Sequence, residues 1–555
     1  MKSIITLTFT MFILISVNAQ WTMDPENPMV VCDAAGIENN ITVFTDEMDG
    51  IYVFWLDTRN SSGFDAREVY GQYYSSSGVS QWETNGRLIV SHYNKISNYG
   101  VFRFNDGSMI IGWSSKSDSY TYNDSTLVRK IDNDGLPVWT DDLLVLNAGF
   151  EPNAILSPGE FQVIKDGLSY CMAIYVTHYG GSSAVRMTRF DENGNLLLPP
   201  DGTQVAGPGG IGHAVLLSTF ENDNSSYLYY SGGNGAGAPL YCVRLNSAGN
   251  VIWGPENVIE GTTGLKYQFD AISDPAGITF VWEGSGNNTD LFTCRYLSNG
   301  TPDWGGNVVP ISNVEGQQTI FDLKKSGNHY YITWADGRPG VDPGNYDIYA
   351  QVFDMNGAMQ FEDDGIEIMS FNTYIPHPKM AVTQDLGFVV CHQSTIAGYM
   401  AQKINSDGTP GWDSSAVQVA VSTLNPFYSE HALIRSGDRI IAVWADAAPG
   451  GGSNDVYISP VNTVLTTGFK PNRSEGFRMY PNPANTVINI VFDESGKNAN
   501  VGIYSLDGRQ LYQNYFESLN TGYLQLKTLS FPEGVYFIRV ETEGNPFTGK
   551  FIIQR

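Results

Sequence analysis

The sequence is poor in cysteine and in basic residues. Its 555 residues include 5 cysteines, which fall singly along the chain with no adjacent pair and no Cys-x-x-Cys spacing. This spacing excludes a zinc knuckle and a disulfide framework, so we predict buried structural thiols. Lys and Arg number 31 against 58 Asp and Glu, a net charge of −27. Such a surface repels a phosphate backbone, and we predict that nucleic acid is not a partner.

Long apolar runs are also lacking after the first residues. Segment 1–19 joins Lys2 to an apolar run over 4–17 and ends in Val17-Asn18-Ala19, a small-residue cleavage pattern. The run is too short to span a bilayer. We therefore predict a secretory signal peptide at 1–19, a mature chain from Gln20, and a protein that is not transmembrane.

Recognisable catalytic motifs are missing as well. The sequence has no phosphate-binding loop, no Ser-His-Asp motif and no metal motif of known spacing. His213, His377 and His431 each open the first predicted strand of a repeat. A metal site at the mouth of a central channel is conceivable, but ordinary strand-start histidines are the favoured explanation.

What the sequence does contain is a repeat. A glycine followed four residues later by a large apolar residue recurs seven times, with 51 to 59 residues between successive glycines. The pairs are Gly78/Trp82, Gly135/Trp139, Gly194/Leu198, Gly249/Trp253, Gly300/Trp304, Gly357/Phe361 and Gly408/Trp412. A second recurring position, upstream of each glycine, occurs eight times, at Trp55, Trp113, Tyr175, Tyr230, Trp282, Trp334, Cys391 and Trp444.

The N-terminus explains why one count exceeds the other. Segment 21–31 resembles the segment 82–90 that follows the first glycine. The chain thus begins with the last strand of its own final repeat, which is how a β-propeller closes its ring. We predict an all-β fold, an eight-bladed β-propeller over 20–464 with N-terminal strand closure.

The sixth repeat illustrates the predicted unit. Alternating apolar residues and Gly, Asn and Asp turns predict four antiparallel strands near 319–325, 329–335, 347–354 and 361–369. The aromatic residue after each glycine is predicted to cover the junction with the adjoining sheet. In a propeller, the loops between second and third strands share one face, here called the loop face, with the loops between sheets.

The repeats resemble a known hairpin. Segments 350–357 and 401–408, with the glycine-to-aromatic spacing, are similar to the tryptophan-docking hairpin of quinoprotein-type propellers and a related outer-membrane assembly lipoprotein. That family's quinone sites use adjacent cysteines, which this chain lacks, so no quinone cofactor is expected. A weaker likeness to the Asp-box of sialidases fails because no repeat has the order Ser-x-Asp-x-Gly-x-Thr-Trp.

The C-terminal segment resembles the type A sorting domain of the type IX secretion system. The matching motifs are Tyr480-Pro481-Asn482-Pro483, then 503–509, then 532–540, which includes Gly534 and Tyr536. The resemblance implies recognition by the type IX machinery. It also implies export through the periplasm to the surface or surroundings of a Bacteroidota-type Gram-negative cell. We predict a linker at 465–475 and a small Ig-like β-sandwich at 476–555.

Paired carboxylates recur on the predicted loop face. Asp57, Asp336 and Asp446 each follow a second-strand Trp by two residues, and Asp65, Asp347 and Asp455 are predicted to begin the third strands. Such pairs suit acid/base hydrolysis, Ca²⁺ binding or loop-tying by bonds to the backbone. Loop-tying is favoured because one active site would not recur in several repeats. Ca²⁺ is the one cofactor that remains open.

Aromatic residues on the same face suggest ligand contacts. Tyr93, Tyr267, Tyr374 and Tyr428 lie in or beside the loops between repeats, with Asn and Asp nearby. The alternative is that these rings pack between blades. We predict a non-enzymatic, adhesin-like module that binds a glycan or protein through these tyrosines and Asp57, Asp336 and Asp446. A propeller glycoside hydrolase or lyase using the loop carboxylates is the alternative, and a purely structural envelope protein is a third.

Overall fold

A computed structural model provides the structure of the chain. It divides into two compact units, Met1–Thr463 and Val464–Arg555, which are described separately. No helix among the described residues is long and apolar enough to cross a membrane. The structure describes residues 21–553 except the segments 22–23, 26, 62–67, 117–124, 148–153, 167–168, 179–181, 199–201, 207–214, 221–224, 233–236, 247–249, 259–264, 285–288, 339–345, 374–375, 395–397, 413–415, 422–429, 448–453, 462–476, 481–486, 493–498, 506–508, 517–522, 529–530, 533 and 543–545.

The described residues of the first unit form eight antiparallel sheets of four strands, numbered here as sheets 1 to 8. Sheets 1 and 2 contain β2 Glu38–Thr45, β3 Ile51–Asp57, β4 Glu68–Tyr74 and β5 Arg87–Ser91, then β6 Lys95–Arg103, β7 Met109–Lys116, β8 Ser125–Ile131 and β9 Leu143–Asn147. Sheets 3 and 4 contain β10 Ala154–Asp166, β11 Ser169–His178, β12 Ser182–Asp191 and β13 Thr203–Ala206, then β14 Val215–Phe220, β15 Ser225–Ser231, β16 Leu240–Leu245 and β17 Val251–Asn257.

The remaining sheets follow the same plan. Sheets 5 and 6 contain β18 Leu265–Asp274, β19 Gly277–Gly284, β20 Asp290–Leu297 and β21 Val309–Ser312, then β22 Gln318–Ser326, β23 His329–Asp336, β24 Tyr346–Asp354 and β25 Ile366–Thr373. A short 3-10 helix, Trp304–Gly306, precedes β21. Sheets 7 and 8 contain β26 Lys379–Val382, β27 Phe388–Ser394, β28 Gly398–Ile404 and β29 Val417–Ala420, then β30 His431–Ser436, β31 Arg439–Ala447, β32 Asn454–Val461 and β1 Met29–Cys32. The prediction of an all-β fold is confirmed.

The sheets are arranged in a closed order. The first strand of each sheet lies beside the first strand of the next, and β30 of sheet 8 lies beside β2 of sheet 1. The N-terminal strand β1 pairs with β32, with Met29 opposite Ile458 and Cys32 opposite Val456. It is therefore the fourth strand of sheet 8, the position that the repeat pattern predicts, although it spans four residues rather than the whole of 21–31.

The repeated glycines and aromatics hold neighbouring sheets together. The described glycines of this repeat have φ between 74° and 84°, which favours glycine. The indole of Trp304 lies 2.9 Å from where a Cβ on Gly357 would stand, so the next sheet approaches too closely for a side chain. Trp304 Nε1 also donates to Met355 O at 3.0 Å. These contacts support the packing role predicted for these aromatic residues. The second-strand tryptophans are fully buried: Trp55, Trp113, Trp282, Trp334 and Trp444.

The sixth repeat matches its predicted strands except at the fourth. Strand β25 begins at Ile366, five residues after the predicted start at Phe361. A second turn intervenes, in which Gly365 N donates to Glu362 O and Asp364 and Gly365 both have positive φ. Phe361 N donates to the side-chain oxygen of Gln351 instead of entering the ladder. The aromatic residue therefore belongs to the turn, and pairing resumes only after it.

In the second unit, the described strands form two antiparallel sheets. One consists of β33 Phe477–Tyr480, β34 Val487–Phe492 and β37 Tyr523–Lys527, and the other of β36 Gln510–Phe516, β35 Ala499–Ser505, β38 Gly534–Thr542 and β39 Pro546–Ile553. Side chains from both sheets form one hydrophobic core that includes Ile488, Ile503 and Tyr536. The hydroxyl of Tyr536 donates to Pro532 O at 2.6 Å, so this motif tyrosine is part of the folded core.

Candidate functional site

The predicted carboxylates lie where second strands end on the loop face. Asp57 is the last residue of β3, opposite Glu38, the first residue of β2. Asp336 ends β23 in the same way, opposite Gln318. Asp446 lies near the end of β31, opposite Asp455 on β32. These three residues occupy equivalent positions in separate sheets, so the structure does not bring them together in one site.

Both oxygens of the Asp57 carboxylate accept hydrogen bonds from residues of the same sheet. Its Oδ2 accepts bonds from Trp55 Nε1 at 2.9 Å, Arg59 Nε at 3.0 Å and Arg59 Nη2 at 2.6 Å, and its Oδ1 accepts from Arg59 N at 2.8 Å. The Arg59 guanidinium stacks 3.8 Å above the Tyr70 ring and donates to Asn85 O at 2.9 Å. Arg59 thus links the ends of β3, β4 and the turn before β5.

Sheet 6 repeats this arrangement. Asp336 accepts from Trp334 Nε1 at 2.8 Å, from Arg338 N at 2.9 Å and from Arg338 Nη2 at 2.7 Å. Arg338 lies 3.6 Å from the Tyr349 ring centre and donates to Asp364 O at 2.9 Å. We call this unit of Trp, Asp, Arg and Tyr the arginine clasp. Asp57 and Asp336 are both fully buried, and their contacts are those of loop-tying residues.

Removing the guanidinium from one clasp tests that role. Arg338→Ala leaves the fully buried Asp336 carboxylate without its cation, so we expect the free energy of unfolding to fall by about 3–5 kcal/mol in chemical denaturation. Arg439→Ala is the matched control. Arg439 is half-exposed and 3.9 Å from an exposed Asp438, so its loss should change stability by less than about 0.5 kcal/mol. Equal effects of the two changes would show that the clasp does not stabilise the fold.

Sheet 8 has the carboxylates of a clasp but not its arginine. Asp446 and Asp455 face each other across β31 and β32, and each is 5% exposed. The position two residues after Asp446 is Ala448 in the sequence, where the other two sheets have arginine. Burial, followed by the charges of Asp33 and Asp446, raises the pKa of Asp455, which accepts one bond from the Tyr457 hydroxyl at 3.1 Å. Asp446 and Asp455 therefore differ chemically from Asp57 and Asp336, which are bound by the clasp arginines.

The junction between sheets 8 and 1 contains a group that sequence reasoning missed. Cys32, Glu38 and Asp57 place three possible metal-ligand atoms within 4.8 Å of one another, and all three residues are buried. Burial, followed by the charges of Asp57 and Asp455, raises the pKa of Glu38 to about 8. Arg59 Nη2 lies 3.1 Å from Cys32 Sγ, so β1 is tied to sheet 1 through this arginine. The sequence gives no signal for Glu38 because part of its setting, the charge of Asp455, comes from β32 at the other end of the first unit's sequence.

Among the predicted tyrosines, Tyr93 has a described side chain on the loop face. Its ring is 80% exposed and lies 4.4 Å from the His92 ring, centre to centre. His92 in turn lies 6.3 Å from the buried Trp113 ring. Tyr267 falls in β18, but its side chain is outside the described part, and Tyr374 and Tyr428 lie outside the described residues altogether.

The histidines singled out by the sequence are not gathered into a described site. His213 lies outside the described residues, His377 is exposed before β26, and His431 opens β30 beside the Tyr399 ring at 5.6 Å. A histidine that the sequence did not single out, His392 on β27, is fully buried. Burial lowers the pKa of His392 to about 4, so it is neutral at physiological pH.

One cavity lies on the opposite face, at the third-to-fourth hairpins of sheets 2 and 3. Its volume is about 430 Å³. The lining residues are Val138, Trp139, Thr140, Asp141, Asp142, Leu143, Glu192, Asn193 and Gly194.

Comparison with known families places the second unit. Residues 478–554 match the model of the secretion system C-terminal sorting domain. This segment is a type IX sorting tail. Such tails mark proteins that are secreted or attached to the outer cell surface through the type IX machinery, which confirms the predicted localisation. Tyr480 and Tyr536 of the predicted motif are in β33 and β38, whereas Pro481, Asn482 and Pro483 lie outside the described residues.

Comparison with solved structures finds β-propeller proteins at low similarity. An α-L-arabinofuranosidase of Fusarium graminearum is 12% identical, with 66% of this chain and 92% of that chain covered and a TM-score of 0.32. An α-L-arabinanase of Penicillium chrysogenum is 11% identical, with 60% and 99% covered and a TM-score of 0.34. The Aleuria aurantia lectin is 11% identical, with 57% and 97% covered and a TM-score of 0.31. No curated protein matches the chain.

Proposed function

We propose that the first unit of this exported protein is an eight-bladed β-propeller whose loop face binds a glycan, followed by an Ig-like sorting sandwich. Eight four-stranded sheets in closed order, with β1 completing the last, support the blade count. We also retain the domain limits of 20–464 for the propeller, after a signal peptide at 1–19, and 476–555 for the tail, after a linker at 465–475.

The exposed Tyr93 ring carries the proposal of glycan binding. An aromatic ring that is 80% exposed and backed by His92 offers a flat apolar surface on which the C–H face of a sugar can stack. By contrast, the carboxylates of Asp57 and Asp336, which hydrolysis would require free, are buried and bonded to Trp and Arg. These contacts favour binding over catalysis at those two sheets. Tyr267, Tyr374, Tyr428 and Asp446 are retained as proposed ligand contacts.

A glycoside hydrolase is the second candidate function. Asp446 and Asp455 face each other across β31 and β32, and burial and neighbouring charge raise the pKa of Asp455, as for a general acid. The names of the solved structures, which are mostly glycoside hydrolases with one lectin, also fit this candidate better than an adhesin. Their TM-scores near 0.3 are too low to support a reaction or a substrate.

Binding and hydrolysis are separated by one set of measurements on the full chain. We expect the wild type to bind in a screen of immobilised polysaccharides that includes arabinan and xylan, and to release no reducing sugar from them. Tyr93→Ala should weaken binding about tenfold, equivalent to about 1.4 kcal/mol, because the stacking surface is lost.

The matched control is Asp141→Ala, an exposed change at the cavity of the opposite face. This variant should bind like the wild type. If Asp141→Ala weakened binding and Tyr93→Ala did not, the glycan site would lie on the face opposite the loop face, at the third-to-fourth hairpins. Sugar release that is lost in Asp446→Asn with an unchanged melting temperature would establish the hydrolase instead.

A further inference from the structure

The hairpins between third and fourth strands share a backbone hydrogen bond that makes their positions comparable. In sheet 2, the residue three positions after the repeated glycine, Val138, donates its N–H to Lys130 O at 2.8 Å. The corresponding bond is made in the other hairpins by Gln81, Leu197, Asp303, Gln360 and Gly411. In sheet 4, Ile252 holds the same position relative to Gly249. The side chains at this position can therefore be compared from sheet to sheet.

The chemistry of this position changes around the ring. In sheets 1, 5, 6 and 7 it is polar or glycine, with the residues Gln81, Asp303, Gln360 and Gly411. In sheets 2, 3 and 4 it is apolar, and Val138, Leu197 and Ile252 are 52%, 52% and 48% exposed. Glutamine, aspartate and glycine maintain the same backbone bond, so the hairpin does not require an apolar side chain here. Packing within the hairpin therefore does not account for these three residues.

Two more apolar side chains are exposed in the same hairpins. Leu136 of sheet 2 is 50% exposed and Val251 of sheet 4 is 55% exposed. The described residues of the third-to-fourth hairpins in sheets 1, 5, 6 and 7 include no exposed large apolar side chain. We define the hairpin patch as Leu136, Val138, Leu197, Val251 and Ile252. Its exposure is confined to three consecutive sheets of the eight.

Contacts between the sheets join the parts of the hairpin patch. Trp139 of sheet 2 donates its Nε1–H to Glu192 O of sheet 3 at 2.9 Å. The cavity of about 430 Å³ lies between these two hairpins, with Val138 in its wall. Leu198 of sheet 3 packs against a core cluster that includes Leu245, at the start of the sheet 4 hairpin. The patch thus follows neighbouring hairpins, with a recess between the first two.

The polar residues around the hairpin patch are acidic. Segments 131–144, 190–198 and 245–257 contain seven Asp and Glu and no Lys or Arg. Two of the seven are neutralised from outside these segments, Asp142 by Arg129 and Glu192 by Lys130 and Lys165. The remaining acidic residues give the surroundings of the patch a negative charge, in keeping with the net charge of −27.

This charge decides what kind of molecule can cover the patch. A second copy of the chain would bring like charge against like charge, and an anionic lipid surface would be repelled in the same way. A partner with Lys or Arg around an apolar centre would be attracted. Exposed apolar patches with polar rims mark sites of protein association.

We propose that the hairpin patch docks a protein partner through a segment that combines large apolar side chains with Lys or Arg. The apolar side chains cover Val138, Leu197 and Ile252, and one of them enters the recess beside Trp139. The basic side chains lie over the surrounding carboxylates. The patch is on the face opposite the loop face, so this inference is independent of glycan binding.

The test measures binding of the full chain to three immobilised peptides, in which Leu alternates with Lys, Leu with Glu, or Ser with Lys. We expect the wild type to bind the Leu-Lys peptide about tenfold more tightly than either of the others. This binding should weaken as salt is added, because exposed charges are screened. The triple variant Val138→Gln, Leu197→Gln, Ile252→Gln copies the residue of sheets 1 and 6. It should bind the Leu-Lys peptide only as weakly as the Ser-Lys peptide, with an unchanged melting temperature.

The matched control changes exposed apolar residues of sheet 7. Leu386 and Val421 are 46% and 51% exposed, and the double variant Leu386→Gln, Val421→Gln should bind like the wild type. The proposal is overturned if the wild type does not prefer the Leu-Lys peptide, if the triple variant keeps that preference, or if the control loses it. Sedimentation gives a further check. A wild-type dimer that the triple variant does not form would assign the patch to a second copy and also overturn the proposal.

Discussion

Deleting residues 20–32 is expected to abolish cooperative unfolding of the first unit rather than shorten a loose end. The deletion removes β1, so sheet 8 loses its fourth strand and exposes the paired edge of β32. It also removes Val31 and Cys32, which are buried in one core cluster with Trp55 and Ile458. Thermal unfolding followed by near-ultraviolet circular dichroism should show no sharp transition, and the chain should aggregate.

A smaller change at the same strand provides the control. Val30 is 47% exposed, so Val30→Ala keeps the ladder and should shift the melting temperature by only a few degrees. Trp21 adds to the closure, since its ring lies 5.9 Å from Tyr74 and its Nε1 donates to Ser76 O at 3.1 Å. If the deleted chain unfolded as sharply as the Val30→Ala variant, β1 would be dispensable and the closure would be wrong.

The architecture could be predicted because its main determinants are local. A glycine and a large apolar residue four positions later mark seven of the hairpins and can be read from the sequence, and the described glycines among them have positive φ. The start of the fourth strand could not be read in this way. At Asn85-Gly86 and Asp364-Gly365 a second positive-φ turn delays pairing, so the fourth strands begin five residues after Trp82 and Phe361.

The candidate site was less predictable because its chemistry depends on distant contacts. The Trp-x-Asp pattern located Asp57 and Asp336, and an arginine follows each of them by two residues, but the pattern alone does not show what that arginine contacts. Its bond to Asp and its stacking on Tyr70 or Tyr349 require β4 or β24 to lie beside it. Glu38 lies within reach of the charge of Asp455 on β32, a strand from the other end of the first unit's sequence. No sequence pattern within 33–40 predicts the surroundings of Glu38.

Deleting residues 476–555 is expected to abolish delivery to the surface and surroundings of the cell while leaving the first unit folded. The matched sorting domain at 478–554 lies wholly within the deleted part. The two units are compact bodies with their own cores, so removing one should not unfold the other. Fractionation should find the truncated protein in the periplasm, with a melting transition close to that of the first unit in the full chain.

Two point variants distinguish recognition of the tail from its folding. Tyr536 is buried between the Phe531 and Phe551 rings, at 5.7 and 5.6 Å, so Tyr536→Ala should unfold the tail and block export. Tyr536→Phe loses only the hydroxyl bond to Pro532 O, worth about 1 kcal/mol, and should be exported. Normal surface delivery of the truncated chain would show that the tail is not the export signal. Failure of both point variants, with a folded Tyr536→Phe tail, would instead assign the hydroxyl to contact with the secretion machinery.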